Sequence, residues 1–172
     1  MAARPCPICR APHHRLGNDN PLRALKRAPA GFAGLLRRAP RRLLARRPGR
    51  DQWSVGEVMA HVADAEVAVA FRLRKIACEP DAVIPAWDQD RWAEGGRYRR
   101  TPPAEPLGVF SALRRANLAY ASRLGPAQRG HHGRHPEYGR LTIRQVLTHL
   151  AEHDLNHLEQ MRSALSSLAR RT

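Results

Sequence analysis

Two stretches of this chain open with the same helix-starting signature and continue with apolar residues at helical spacing. Ser54 with Glu57, and Thr142 with Gln145, are capping-box pairs, in which hydroxyl and N3 side chain satisfy amides that a helix start leaves unpaired. After the first, Val58, His61, Val62, Ala65, Val69, Leu73 and Ile76 share one broad face until Pro80. After the second, Val146, Leu147, Leu150, Leu158, Met161 and Leu165 do the same to about Leu168. Two further helices are expected. One runs over about 29–38, from Pro29 through Phe32, Leu35 and Leu36, and is broken at Pro40. The other runs from about Glu105 to Leu124, with Leu107, Phe110, Leu113, Leu118 and Ala121 apolar and Gly125 at its end. No segment alternates at period two, and no hairpin dipeptide joins two apolar runs. The expected fold is all-α, a four-helix bundle in which 80–104 forms a long crossover loop. The loop aromatics Trp87, Trp92 and Tyr98 are expected over one end of the bundle, as anchors rather than substrate contacts.

A chain of 172 residues suits one domain with a real core. The expected organisation is an irregular basic leader over 1–28, interrupted by Pro5, Pro7, Pro12, Gly17 and Pro21, and a bundle domain over 29–170. The net charge of +15 is unevenly spread: residues 1–50 carry 13 Arg or Lys against the single acid Asp19, and residues 51–172 carry 17 against 14. The bundle is thus nearly balanced, and nonspecific nucleic-acid binding is left to the arm alone. No apolar run reaches the roughly 18–20 residues that span a bilayer, and no secretory h-region opens the chain, so a cytoplasmic protein is expected. Cys6, Cys9 and Cys78 are too few and too odd for a disulfide framework.

His153 and His157 project one turn apart from the same helical face, a spacing that offers two neutral nitrogens to one metal ion. His61, on the inward face of another helix, can bring a third. Three imidazoles leave positions open for water or substrate and suit zinc, nickel or another first-row divalent ion. His149 lies one turn before His153, so periodicity alone leaves the choice among 149, 153 and 157 open.

The run from Trp53 through His61 to Asp64 resembles the first metal-ligand helix of the DinB-like superfamily, and His153-Asp-Leu-Asn-His157-Leu-Glu-Gln resembles its last. Pro85-Ala-Trp87-Asp88-Gln-Asp-Arg-Trp92 and His135-Pro136-Glu137-Tyr-Gly139 are similar to segments found between them in the same order. The resemblance covers about residues 22–170. It implies a metal-binding four-helix bundle, often a homodimer, with zinc or nickel on His61, His153 and His157. It also implies a possible activity, because some members resemble S-transferases that use bacillithiol or mycothiol, and one branch isomerises maleylpyruvate.

A thiol transferase would need the metal to hold a low-molecular-weight thiol as thiolate for attack on a small electrophile. Asp64, one turn after His61, is expected to orient a ligand histidine or to accept a proton. A hydrolytic use would need a base, with Asp64 and Glu66 as the only choices and Glu66 pointing well away from His61. A non-enzymatic metal-binding or stress-associated bundle is the alternative, and DNA binding through the arm a third. Cys6, Cys9, His13 and His14 form a C-x2-C pair with two nearby histidines, a candidate second zinc site lacking a second C-x2-C pair.

Overall fold

The computed structural model describes residues 15–171. Four long helices make the bundle: α1 (Pro21–Arg38), α3 (Val55–Cys78), α5 (Ala104–Arg123) and α7 (Ile143–Ala169). Short elements sit in the connections: α2 (Arg41–Leu44), α4 (Gln89–Gly95), a 3-10 turn (Tyr98–Arg100), α6 (Pro126–Gly130), and strands β1 (His132–His135) and β2 (Gly139–Thr142). Both expected capping boxes are formed, Ser54 with Glu57 and Thr142 with Gln145.

Around the bundle, α3 packs against α5 and α7, and α1 packs against the same two. The apolar core is split into two halves. One gathers Leu25, Leu73, Ile76, Ile84, Leu124, Val146 and Leu150; the other gathers Phe32, Val58, Met59, Phe110, Leu158 and Met161. Reading each helix through the two halves shows that α3 and α5 run parallel to each other and antiparallel to α1 and α7. Parallel neighbours cannot be joined by a tight turn, so residues 79–103 must return along the length of the bundle. That requirement is the physical reason for the long crossover.

The first helix begins at Pro21, not at Pro29. Asn20 caps it by accepting from the amides of Leu22 and Arg23, and Pro21 occupies a first-turn position where no amide is needed. Pro29 therefore sits inside α1, and the burial of Leu25 and Ala28 before it and of Phe32 and Leu35 after it holds the helix continuous. Residues 15–28 are correspondingly part of the packed bundle, with Leu16 in the core. Cys6, Cys9, His13 and His14 lie outside the described residues.

Between α5 and α7, where no strand is expected, the chain forms a hairpin, with His132 opposite Thr142 and His135 opposite Gly139. Its strands are polar, so no alternation marked them. They are held by the crossover instead: the amide of Ile84 donates to the carbonyl of Arg134, and that of Arg134 to the carbonyl of Ala82. Gly133 lets the buried Ile84 approach, since a Cβ there would lie 2.5 Å from the Ile84 Cδ1.

Candidate metal centre

Between the two apolar halves lies a buried polar layer built from α3, α5 and α7. His61 is wholly buried on α3, and His153 and His157 are buried on α7. The Nε2 atoms of His61 and His153 are 3.0 Å apart, and those of His153 and His157 are 3.2 Å apart. One nitrogen from each ring can be chosen so that all three lie within 4.8 Å of one another.

This convergence is poorly explained by hydrogen bonds among the rings. The Nδ1 of His157 is 2.6 Å from Oε1 of Gln160, an acceptor, so the proton of a neutral His157 sits on Nδ1 and its Nε2 lone pair faces the cluster. The Nδ1 of His61 is buried with no hydrogen-bond partner. Burial, then the nearness of His157 and His153, holds His61 well below the ordinary histidine value; burial also lowers His157, against the hydrogen bond that it donates to Gln160. Both shifts favour the neutral form of His61 and His157, which keeps nitrogen lone pairs available. Nitrogens about 2.0–2.1 Å from one tetrahedral ion lie about 3.3 Å from each other, close to the His61–His153 and His153–His157 separations. The donor set fits one divalent transition metal.

Aromatic rings close the site on the α3 side. Trp87 stacks on His61 with centroids 5.6 Å apart, Trp92 packs on Trp87, and Trp53 lies 5.1 Å from His61. Trp87 is therefore a wall of the site as well as a loop anchor. Tyr98 is an anchor: its hydroxyl donates to Asp64. Asp64 is thereby engaged in tying the 3-10 turn to α3, with no hydrogen bond to an imidazole. Burial raises its carboxyl, against the Tyr98 hydrogen bond.

The other buried acids are also occupied. Arg114 Nε donates to Glu66 Oε1 at 2.7 Å, its Nη1 meets Asp154 at 2.7 Å, and Asn117 Nδ2 donates to Glu66 at 2.8 Å. Burial pushes Glu66 and Asp154 up, and Arg114 only partly offsets this. Glu152 accepts from the backbone amides of Arg15 and Leu16. Asp154 thus pairs with α5 rather than orienting His153.

Two cavities meet the imidazoles. One, of about 440 Å³, is largely apolar and runs from His153 and Trp87 past Val69 and Leu150 to Arg72 and Tyr138, with His149 on its wall. The other, of about 550 Å³, is a polar groove bordered by Trp53, Asp51, Asp90, His157, Glu159 and Gln160. Sequence reasoning missed Gln160 and Arg72 as site residues. The former lies three positions after His157, and the latter eleven after His61, three helical turns along the same face.

A model of the DinB superfamily matches residues 24–161. The Oceanobacillus iheyensis protein named "Putative metal-dependent hydrolase OB0782" is 29% identical over 64% of this chain. The match spans 64% of that relative's own length, just under two thirds. The structure of YfiT from Bacillus subtilis, described as a probable metal-dependent hydrolase with an unusual four-helix bundle topology, superposes with a TM-score of 0.77. It is 20% identical, and the match covers 91% of this chain and 88% of that one. A mycothiol-dependent maleylpyruvate isomerase matches with a TM-score of 0.68 at 11% identity, covering 87% of this chain and 62% of the isomerase. At these identities the two structures show a shared fold.

Proposed function

The chain belongs to the DinB superfamily, and from that premise we propose that it is a metal-dependent enzyme whose divalent ion, zinc or nickel, is held by His61, His153 and His157. We assign it the transfer of a low-molecular-weight thiol to a small electrophile. When bound, such an ion supplies Lewis acidity and lowers the pKa of a coordinated thiol or water.

The observation that carries the thiol reading is the pair of unlike cavities flanking one imidazole cluster. A transfer reaction has two organic partners, and here each has its own approach. The polar groove on the His157 side suits a hydroxyl- and amine-bearing thiol, and the apolar cavity on the His153 side suits the electrophile. In the transfer, sulfur forms a bond to the electrophilic carbon, the leaving group departs with the bonding pair, and the thiol proton is released to solvent. Gln160 fixes the His157 tautomer, and Trp87 and Trp53 keep water from His61. The likeness to a mycothiol-dependent isomerase agrees with thiol chemistry.

Hydrolysis is the second reading, favoured by the names of OB0782 and YfiT. It needs a carboxylate base, and Asp64, Glu66, Glu152 and Asp154 are all engaged elsewhere. The acids of the polar groove would have to serve. The test is to load the protein with zinc or nickel and supply chlorodinitrobenzene with a panel of low-molecular-weight thiols, and separately nitrophenyl esters. Metal-dependent S-conjugates, absent in His61→Ala, support transfer. Ester cleavage alone would replace it with hydrolysis, and no turnover with a fully loaded site would leave a binding protein.

A further inference from the structure

Among the described residues two arginines are buried, Arg72 and Arg114, and only Arg114 has a counter-ion. Arg114 is flanked by Glu66 and Asp154. Arg72 is 4% exposed, yet among the described residues it forms no ion pair. Its Nη2 donates to the carbonyl of Pro85 at 3.4 Å and lies 3.1 Å from the Nε2 of His135, whose Nδ1 accepts from the Glu137 amide; its Nε and Nη1 have no hydrogen-bond partner among the described residues. Both partners are neutral, because burial and then the charge of Arg72 hold His135 below the ordinary histidine value. Burial disfavours its charged form, and Tyr138 and Glu137 are the groups that act in the opposite direction.

A guanidinium buried as deeply as this one, with no carboxylate paired to it and only the cavity open to it, is costly. Arg72 lines the far end of the apolar cavity from His153, and no acid lines that cavity. Arg144, exposed at the same end, adds a second positive charge. Between the two ends the wall is Ala65, Ala68, Val69, Leu150 and Trp87. His61 and Arg72 are eleven residues apart on α3, about 16 Å along the axis before the side chains lean together.

We infer that Arg72 is the anion-recognition residue of this cavity, and that the molecule it takes carries a carboxylate on an apolar body. The inference rests on the cavity being the electrophile's site. The unengaged edge of a guanidinium matches a carboxylate in its bidentate geometry, and one buried cation balances one negative charge, which favours a monoanion over a phosphate dianion. The carboxylate sits at Arg72, and the opposite end of the molecule lies against His153, where its reacting carbon meets the thiol. The enzyme then selects carboxylated electrophiles by length as well as by charge.

The probes are phenylbutyrate and the uncharged, near-isosteric phenylbutanamide, titrated into the full-length metal-loaded protein with intrinsic tryptophan fluorescence as the readout, since Trp87 lines the cavity. Wild type is expected to bind the carboxylate about 10- to 100-fold more tightly than the amide, the range for a hydrogen bond to a charged group. Arg72→Gln should abolish that preference while keeping amide affinity within about twofold, and Arg72→Lys should restore part of it. Circular dichroism of each variant and retained amide binding show that the hairpin and crossover still pack. Equal affinity of wild type for both probes, or no binding of either, overturns the inference. So does a preference that survives Arg72→Gln but disappears in His153→Ala/His157→Ala, since the carboxylate would then sit on the metal. Metal content measured on the same samples separates this failure from a failure of the metal site itself.

Discussion

The Nε2 atoms of His61 and His153 lie 3.0 Å apart, with Trp87 and Trp53 packed against the His61 ring. At most one of these two nitrogens carries a proton toward the other, and the His157 Nε2 beside them is a bare acceptor. An electron-rich pocket of this kind is stable when a cation fills it, which makes the three rings a preorganised ligand set.

The ring of His157 is set by Gln160, so Gln160→Leu should lower metal affinity about 10- to 100-fold with the bundle intact. Competition against a chromogenic chelator reads this directly. An unchanged affinity would show that the 2.6 Å contact does not orient the ligand.

Arg114 carries the charge balance of the polar layer. Arg114→Met leaves Glu66 and Asp154 buried without their cation, at a cost of about 3–5 kcal/mol. Urea unfolding should show this fall in midpoint at neutral pH. Because both carboxyls are then free to take up protons, part of the loss should be recovered in acid.

Glu57 gives a pH dependence of the opposite sense. Burial pushes its carboxyl up, but hydrogen bonds from Arg47 and from Ser54, with the Arg47 charge, hold it below the ordinary value of 4.5. A carboxyl lowered on folding contributes stability above its unfolded pKa and loses it as pH falls through the folded one. Glu57→Gln keeps the capping geometry and removes the charge, so it should cost roughly 0.5–1 kcal/mol at pH 7. Thermal melts of the pair should converge as pH drops below 4.5.

Gly133→Ala should destabilise the hairpin's seat on the crossover. The new methyl meets the fully buried Ile84 at 2.5 Å and the carbonyl of Ala82 at 3.1 Å, so overpacking of about 1–3 kcal/mol is expected. Hydrogen exchange at the amides of Ile84 and Arg134 should speed up ahead of the bundle core.

The bundle and its three histidines were legible because their signals are local. Capping boxes mark the starts of α3 and α7, and helical spacing puts His153 and His157 on one face. Choosing 153 and 157 over 149 took a resemblance rather than periodicity, and the structure places His149 on the cavity wall. What stayed hidden depends on partners far along the chain. The β1–β2 hairpin is polar and rests on Ala82–Ile84, and the start of α1 at Asn20 was masked by Pro29. Asp64 was read as a partner of His61 from spacing, but spacing could not show that Tyr98 reaches it first.

The central claim is that His61, His153 and His157 hold one metal ion, and elemental analysis of the purified protein tests it most directly. Wild type should carry near-stoichiometric zinc, nickel or a similar divalent ion, and a folded His153→Ala/His157→Ala variant should carry none. A wild type that is metal-free and takes up none of these ions when they are added would contradict the account.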